Sequence, residues 1–169
     1  MPGSVKVTTS KLDGEQQVQV EPGWLKGEKM SDRPPKLGGF WSGKSATNFT
    51  LEAVLFGESK PERVRIGIDG AISEFPTTNG ARVITSFTQG VKGIETVSRF
   101  IVPLSFVQQM VAGTNVVIQE DARGFTEGVF SADAPTRARP GFKKALEKIK
   151  NPDTVKNASS AAAKFPRVK

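Results

Sequence analysis

The chain has 169 residues and a formal net charge of +7, from 24 Lys and Arg against 17 Asp and Glu. It contains no His, no Cys and no Tyr, which excludes disulfides, thiolate or Ser-His-Asp nucleophiles, and imidazole or thiolate metal ligands. A hydrophobic content of 37% suits a folded domain, and no apolar run approaches the roughly 20 residues of a membrane-spanning helix.

Alternating apolar and polar residues dominate. Val5 to Thr9 and Gln17 to Val20 flank Asp13-Gly14 and predict two strands joined by a turn, the second ending at Pro22-Gly23. Residues 26–36 carry Gly27, Pro34 and Pro35 among charges and predict a surface loop. Leu37 to Ser42 predicts a short strand in which Gly38-Gly39 marks a bulge or a close backbone approach. Asn48 to Phe56 predicts a longer strand with Phe49, Leu51, Ala53 and Leu55 on one face. Val64, Ile66 and Ile68 alternate up to Asp69-Gly70, a two-residue hairpin link, and Ala71 to Phe75 follows. Thr78-Asn79-Gly80 repeats the hairpin signal before a strand from Arg82 to Phe87, and a loop at Gln89 to Gly93 precedes a strand from Ile94 to Val102.

Pro103 then opens a helical pattern of Leu104, Val107 and Val111, with Gly113 just past its end. Asn115 to Gln119 and Phe125 to Phe130 return to strand around a turn at Arg123-Gly124. After Pro140-Gly141, the residues Phe142, Ala145, Leu146 and Ile149 form one apolar helical stripe with lysines opposite, stopped at Asn151-Pro152. About nine short strands and two helices predict an all-β antiparallel β-sandwich or open barrel with a C-terminal amphipathic helix. Residues 1–150 form this single domain, its last helix at about 141–150, and residues 151–169 are expected to be a basic, disordered tail.

The charge is unevenly placed: residues 135–169 carry a net +8, leaving −1 on the rest of the chain. Arg137, Arg139, Lys143, Lys144, Lys148 and Lys150 are therefore candidate anion-binding residues for nucleic acid or anionic lipid, against the plainer alternative of a solvated end. Trp24, Phe40 and Trp41 are a candidate ligand platform, against the alternative of core packing.

Catalysis would fall to carboxylates, Lys, Ser or Thr. Asp69, Glu74, Glu120, Asp121 and Glu127 lie near strand ends, where Asp69 fits turn chemistry and Glu120-Asp121 a polar strand end. Gly38 to Ser45 satisfies the phosphate-loop pattern. Its flanks do not: Pro34-Pro35 precedes it, β-alternation follows it, and two aromatics sit inside it, so it is a chance match. No catalytic residue, metal or cofactor is assigned, and a non-enzyme is expected.

Several short features resemble a group of uncharacterised bacterial exported or lipoprotein-like proteins. They are Thr9-Ser10-Lys11-Leu12-Asp13-Gly14 followed by Val18-x-Val20-Glu21-Pro22, then Ile68-Asp69-Gly70, Ser98 to Leu104, and Ala138 to Phe142. The resemblance implies a periplasmic or cell-envelope location and no known activity. Met1 to Ser4 shows no signal-peptide pattern, so a cytoplasmic location is expected if the chain is complete as given. The expected function is a non-catalytic envelope module that binds a protein or envelope component. The alternative is a nucleic-acid-binding domain that uses the basic end.

Overall fold

The computed structural model describes residues 2–27, 35–57, 61–78, 82–88, 91–121 and 125–150. Among them lie ten strands: β1 (Val5–Thr9), β2 (Gln16–Trp24), β3 (Lys36–Ser42), β4 (Asn48–Phe56), β5 (Arg63–Ile68), β6 (Ala71–Pro76), β7 (Arg82–Thr88), β8 (Val91–Pro103), β9 (Val116–Asp121) and β10 (Phe125–Val129). There are two α-helices, α1 (Leu104–Ala112) and α2 (Ala138–Lys150). The strands form a six-stranded sheet of order β1-β2-β3-β4-β8-β7 and a four-stranded sheet of order β10-β9-β5-β6. Every strand pair is antiparallel and neither sheet closes on itself, so the fold is a β-sandwich.

The strand alternation settles which faces meet. Phe49, Leu51, Ala53 and Leu55 of β4 are buried, as are Phe100 and Val102 of β8 opposite them. Val64 and Ile66 of β5 and Val116 and Ile118 of β9 line the facing sheet. Phe75 of β6 bridges the two sheets, stacking 6.3 Å from Phe100 of β8. Asp69-Gly70 makes the predicted hairpin, with positive φ at both residues (48° and 92°). Gly38 and Gly39 make the predicted close approach. A Cβ on Gly38 would lie 2.6 Å from the Val20 carbonyl oxygen, and one on Gly39 would strike the Thr50 carbonyl oxygen.

Five expectations need correction. Pro22-Gly23 does not end β2, because pairing resumes at Gly23 and Trp24 after a register shift, which absorbs the proline as a bulge. β8 starts at Val91 rather than Ile94, and pairs with β7 up to Thr88. The strands on either side of Asn79-Gly80 are not a hairpin, since β6 lies in the small sheet and β7 in the large one. α2 begins at Ala138, so Pro140-Gly141 sits in its first turn instead of preceding it. Lys26 is not in a loop free of pairing, because it bridges Val129, the last residue of β10. The turns expected at 79–80, 89–90 and 123–124 and the tail at 151–169 lie outside the described residues.

The helices close the core. α1 carries the chain from the large sheet to the small one and buries Val107 and Met110. Its Phe106 meets Phe75 edge-on at 4.9 Å. α2 lies against β2, with Gly141 on the backbone of Gly3 and beside Val20. Its Phe142 is fully buried between Phe49 at 5.7 Å and Phe130 at 5.4 Å. Residues 138–149 are thus part of the domain core, as the apolar stripe predicts.

Candidate binding face

The two sheets present different outer faces. That of the small sheet is mainly polar: Glu74 pairs with Arg63 and Arg65, Gln119 bonds Glu127 on the neighbouring strand, and Ile72 stands among them 74% exposed. The outer face of the large sheet is aromatic. Trp24 of β2 stacks on Phe56 of β4 at 5.9 Å with the rings 16° apart. The Lys36 ammonium of β3 sits over both, 4.6 Å from the Trp24 ring and 6.0 Å from that of Phe56, and pairs with Glu95. Further along the same face, the Arg99 guanidinium of β8 lies 5.5 Å from the Phe40 ring and bonds Glu52. Ile101 extends the face and is 53% exposed.

Two of the three predicted platform residues therefore lie on one surface, with Phe56, Lys36, Arg99 and Ile101 added to them. Trp41 does not belong. It is 2% exposed, points into the core with Leu37, and its indole N–H donates to the Ala46 carbonyl at 2.9 Å. Phe40 and Trp41 are adjacent in one strand, so the pleat sends them to opposite faces.

The basic candidates separate in the same way. Arg137 donates to the Leu25 carbonyl at 3.0 Å. Arg139 forks onto the Val111 carbonyl from Nε (3.0 Å) and Nη2 (2.9 Å), while its Nη1 reaches the Ser131 carbonyl and Asp133. It caps the last turn of α1, where helix carbonyls lack partners and the dipole favours a cation. Both guanidiniums hold the backbone together. Lys143, Lys144 and Lys148 are exposed on α2, and Lys150 ends it, its side chain lying outside the described set. Arg139→Lys cannot keep the fork, so we expect a cost of about 1.5–3 kcal/mol, measured as a lower urea midpoint at unchanged slope.

The carboxylates give no cleft. Asp69 accepts from the backbone N–H groups of Thr114 (3.1 Å) and Asn115 (2.7 Å), tying the β5–β6 turn to the end of α1. Glu74 and Glu127 stand on the outer ladder. Glu120 is a correction to the polar strand end: it is 0% exposed, in phase with Val116 and Ile118, and faces the interior. Neither of its oxygens has a hydrogen-bond partner among the described residues. Burial pushes its carboxyl up to about 8. The side chain of Asp121 lies outside the described residues. Among the described residues, no group of three acids could hold a metal ion, and no helix is long and apolar enough to cross a membrane.

The phosphate-loop lookalike has the wrong geometry. Gly38 and Gly39 lie within β3, Gly43 to Ser45 form a single 3₁₀ turn, and the next element is the antiparallel strand β4. Lys44 is held by Asp13 at 2.8 Å and Glu15 at 3.2 Å, and the Ser42 hydroxyl bonds Glu15. Hydrogen bonding from Lys44 first holds Asp13 down to about 2, while the Ser42 hydroxyl foremost lowers Glu15. Asp13 in turn raises Lys44. These shifts move all three groups away from neutrality, so none is poised as an acid or base at pH 7.

One groove opens between the helices. It has a volume of about 400 Å³ and is lined by Val111, Ala112, Leu146, Arg139, Lys143 and Glu147 among others. Its arginine is the one committed to Val111. Compared with known proteins, the chain matches no family model and no curated protein.

Proposed function

We propose that this β-sandwich is a non-catalytic interaction module that binds a protein partner through the outer face of its six-stranded sheet. The supporting observation is the Trp24–Lys36–Phe56 stack beside Arg99 and Phe40, on a sheet face where Phe56 is 36% and Ile101 53% exposed. Trp, Phe and Arg set among charged pairs are the residue types that anchor protein interfaces. Among the described residues, the one acid pushed toward neutrality, Glu120, is sealed in the core. We propose an envelope setting for it on the sequence resemblance to exported bacterial proteins alone.

A photoreactive phenylalanine analogue at Phe40 is expected to give a discrete crosslinked protein in cells of the source organism. The adduct should vanish when Trp24→Ala and Phe56→Ala are combined, a change worth at least about 2 kcal/mol if these are interface anchors. The melting curve should move little, because both rings are partly exposed. Products no different from those of the same analogue at Lys143 on α2 would overturn the proposal. Salt-sensitive oligonucleotide binding, lost on truncation after Lys150, would replace it with the nucleic-acid reading. Truncation after Ala134 cannot serve, since it removes Phe142 and Ile149 from the core.

A further inference from the structure

A sheet edge is a row of unpaired backbone donors and acceptors, and proteins guard it with charge, proline, bulges or a covering segment. The sandwich has four such edges: β1, β7, β10 and β6. Three are guarded. β1 carries Lys6, β6 carries Glu74 and ends on Pro76, and β10 carries Glu127 and passes into a backbone bridge between Val129 and Lys26. β7 differs: its one charge, Arg82, stands at its first residue, Val83 to Thr88 contain no charge, no proline and no glycine, and among the described residues the strand pairs with β8 alone.

We propose that β7 is a self-association edge, and that two copies of this chain pair β7 antiparallel about a twofold axis at Thr85, joining their six-stranded sheets into one. Three observations favour a second copy as the occupant. The register is self-consistent: Val83 meets Phe87, Ile84 meets Ser86, and Arg82 meets Thr88, so no like charges oppose one another. Half the contact needs a strand of matching length and high β-propensity, which the chain itself supplies. With the other three edges guarded, isologous pairing consumes the open edge and stops at a dimer.

The natural chain has no Cys, so a single introduced thiol reports one contact. Opposed residues of an antiparallel pair lie about 4.5–5.5 Å apart between Cα atoms, within disulfide range. In the full chain, Thr85→Cys should therefore form a covalent dimer under mild oxidation several-fold faster than Thr8→Cys on β1 or Ser73→Cys on β6. Sedimentation of the unmodified chain should show a concentration-dependent dimer. Ser86→Lys, which sets the added charges of the two copies diagonally across the twofold, should leave a folded monomer. Equal crosslinking at all three edges would overturn the proposal, as would a dimer that survives Ser86→Lys or a chain that stays monomeric at all concentrations. Should Ser86→Lys fail to fold, the comparison of the three thiol positions decides alone.

Discussion

Replacing Glu120 with methionine is expected to stabilise the protein, and far more at about pH 9 than at about pH 5. The folded carboxyl holds its proton up to about pH 8, whereas the unfolded one releases it near 4.5. Between these values the folded state binds more protons, so stability falls as pH rises. The contribution of Glu120 is complete below the unfolded value and gone above the folded one. Each intervening unit is worth about 1.4 kcal/mol, which sums to an order of 5 kcal/mol by pH 9. Chemical denaturation across this range measures it. Glu120→Gln separates the causes: it abolishes ionisation, so the alkaline slope should flatten, while the polar group stays buried. An unchanged slope in Glu120→Gln would show that the carboxyl does not titrate in the core. Asp13 and Glu15, lowered by Lys44 and Ser42, act in the opposite sense: their stabilisation is present above the ordinary carboxylate range and is lost as pH falls. The stability optimum is therefore expected at mildly acidic pH.

Phe142→Ala is expected to be the most damaging truncation in α2. The ring has no exposed surface and contacts Phe49 from the large sheet and Phe130 beyond β10. Its loss leaves a cavity where the helix and the two ends of the sandwich meet, at a cost of about 3–5 kcal/mol. That is a large share of the roughly 5–15 kcal/mol that holds a domain together. Urea unfolding should show it directly. Lys144→Ala, on the exposed face of the same helix, should change stability by less than about 0.5 kcal/mol. Equal effects of the two substitutions would mean that α2 is not docked as described.

Much of this was legible in the chain. Period-two patterns located β4 and β5, and Asp69-Gly70 fixed its hairpin because that turn demands two positive φ angles. The apolar stripe of Phe142, Ala145, Leu146 and Ile149 named the buried face of α2 correctly. Asn79-Gly80 misled, since a local turn signal does not say whether the next strand joins the same sheet. The site was half legible. Trp24 and Phe40 lie on the proposed binding face, but Phe56 and Arg99 join them only through the pairing of β3 with β4 and of β4 with β8. Trp41 could have been set apart by its phase with Leu37, and Glu120 placed inside by its phase with Val116 and Ile118. The expectation of polar residues outside hid the second. Arg137 and Arg139 were beyond reach, because their acceptors are carbonyls distant in sequence.

The pairing of β4 with β8 sets an order of events during folding. Asn48 pairs with Pro103 and Phe56 with Glu95, so the whole of β5, β6 and β7 lies between two adjacent strands of one sheet. As the chain leaves the ribosome, β1 to β4 can assemble early and then wait with the flank of β4 open and Phe49 and Leu51 uncovered. Only the arrival of β8 closes that flank, and α2, later still in the chain, brings Phe142 against Phe49. Closure of so long a loop makes folding slow, in the millisecond-to-second range of about 10⁻³–1 s for sandwich topologies. Until β8 arrives, the open flank of β4 leaves the partly formed sheet prone to aggregation, however stable the finished sandwich is.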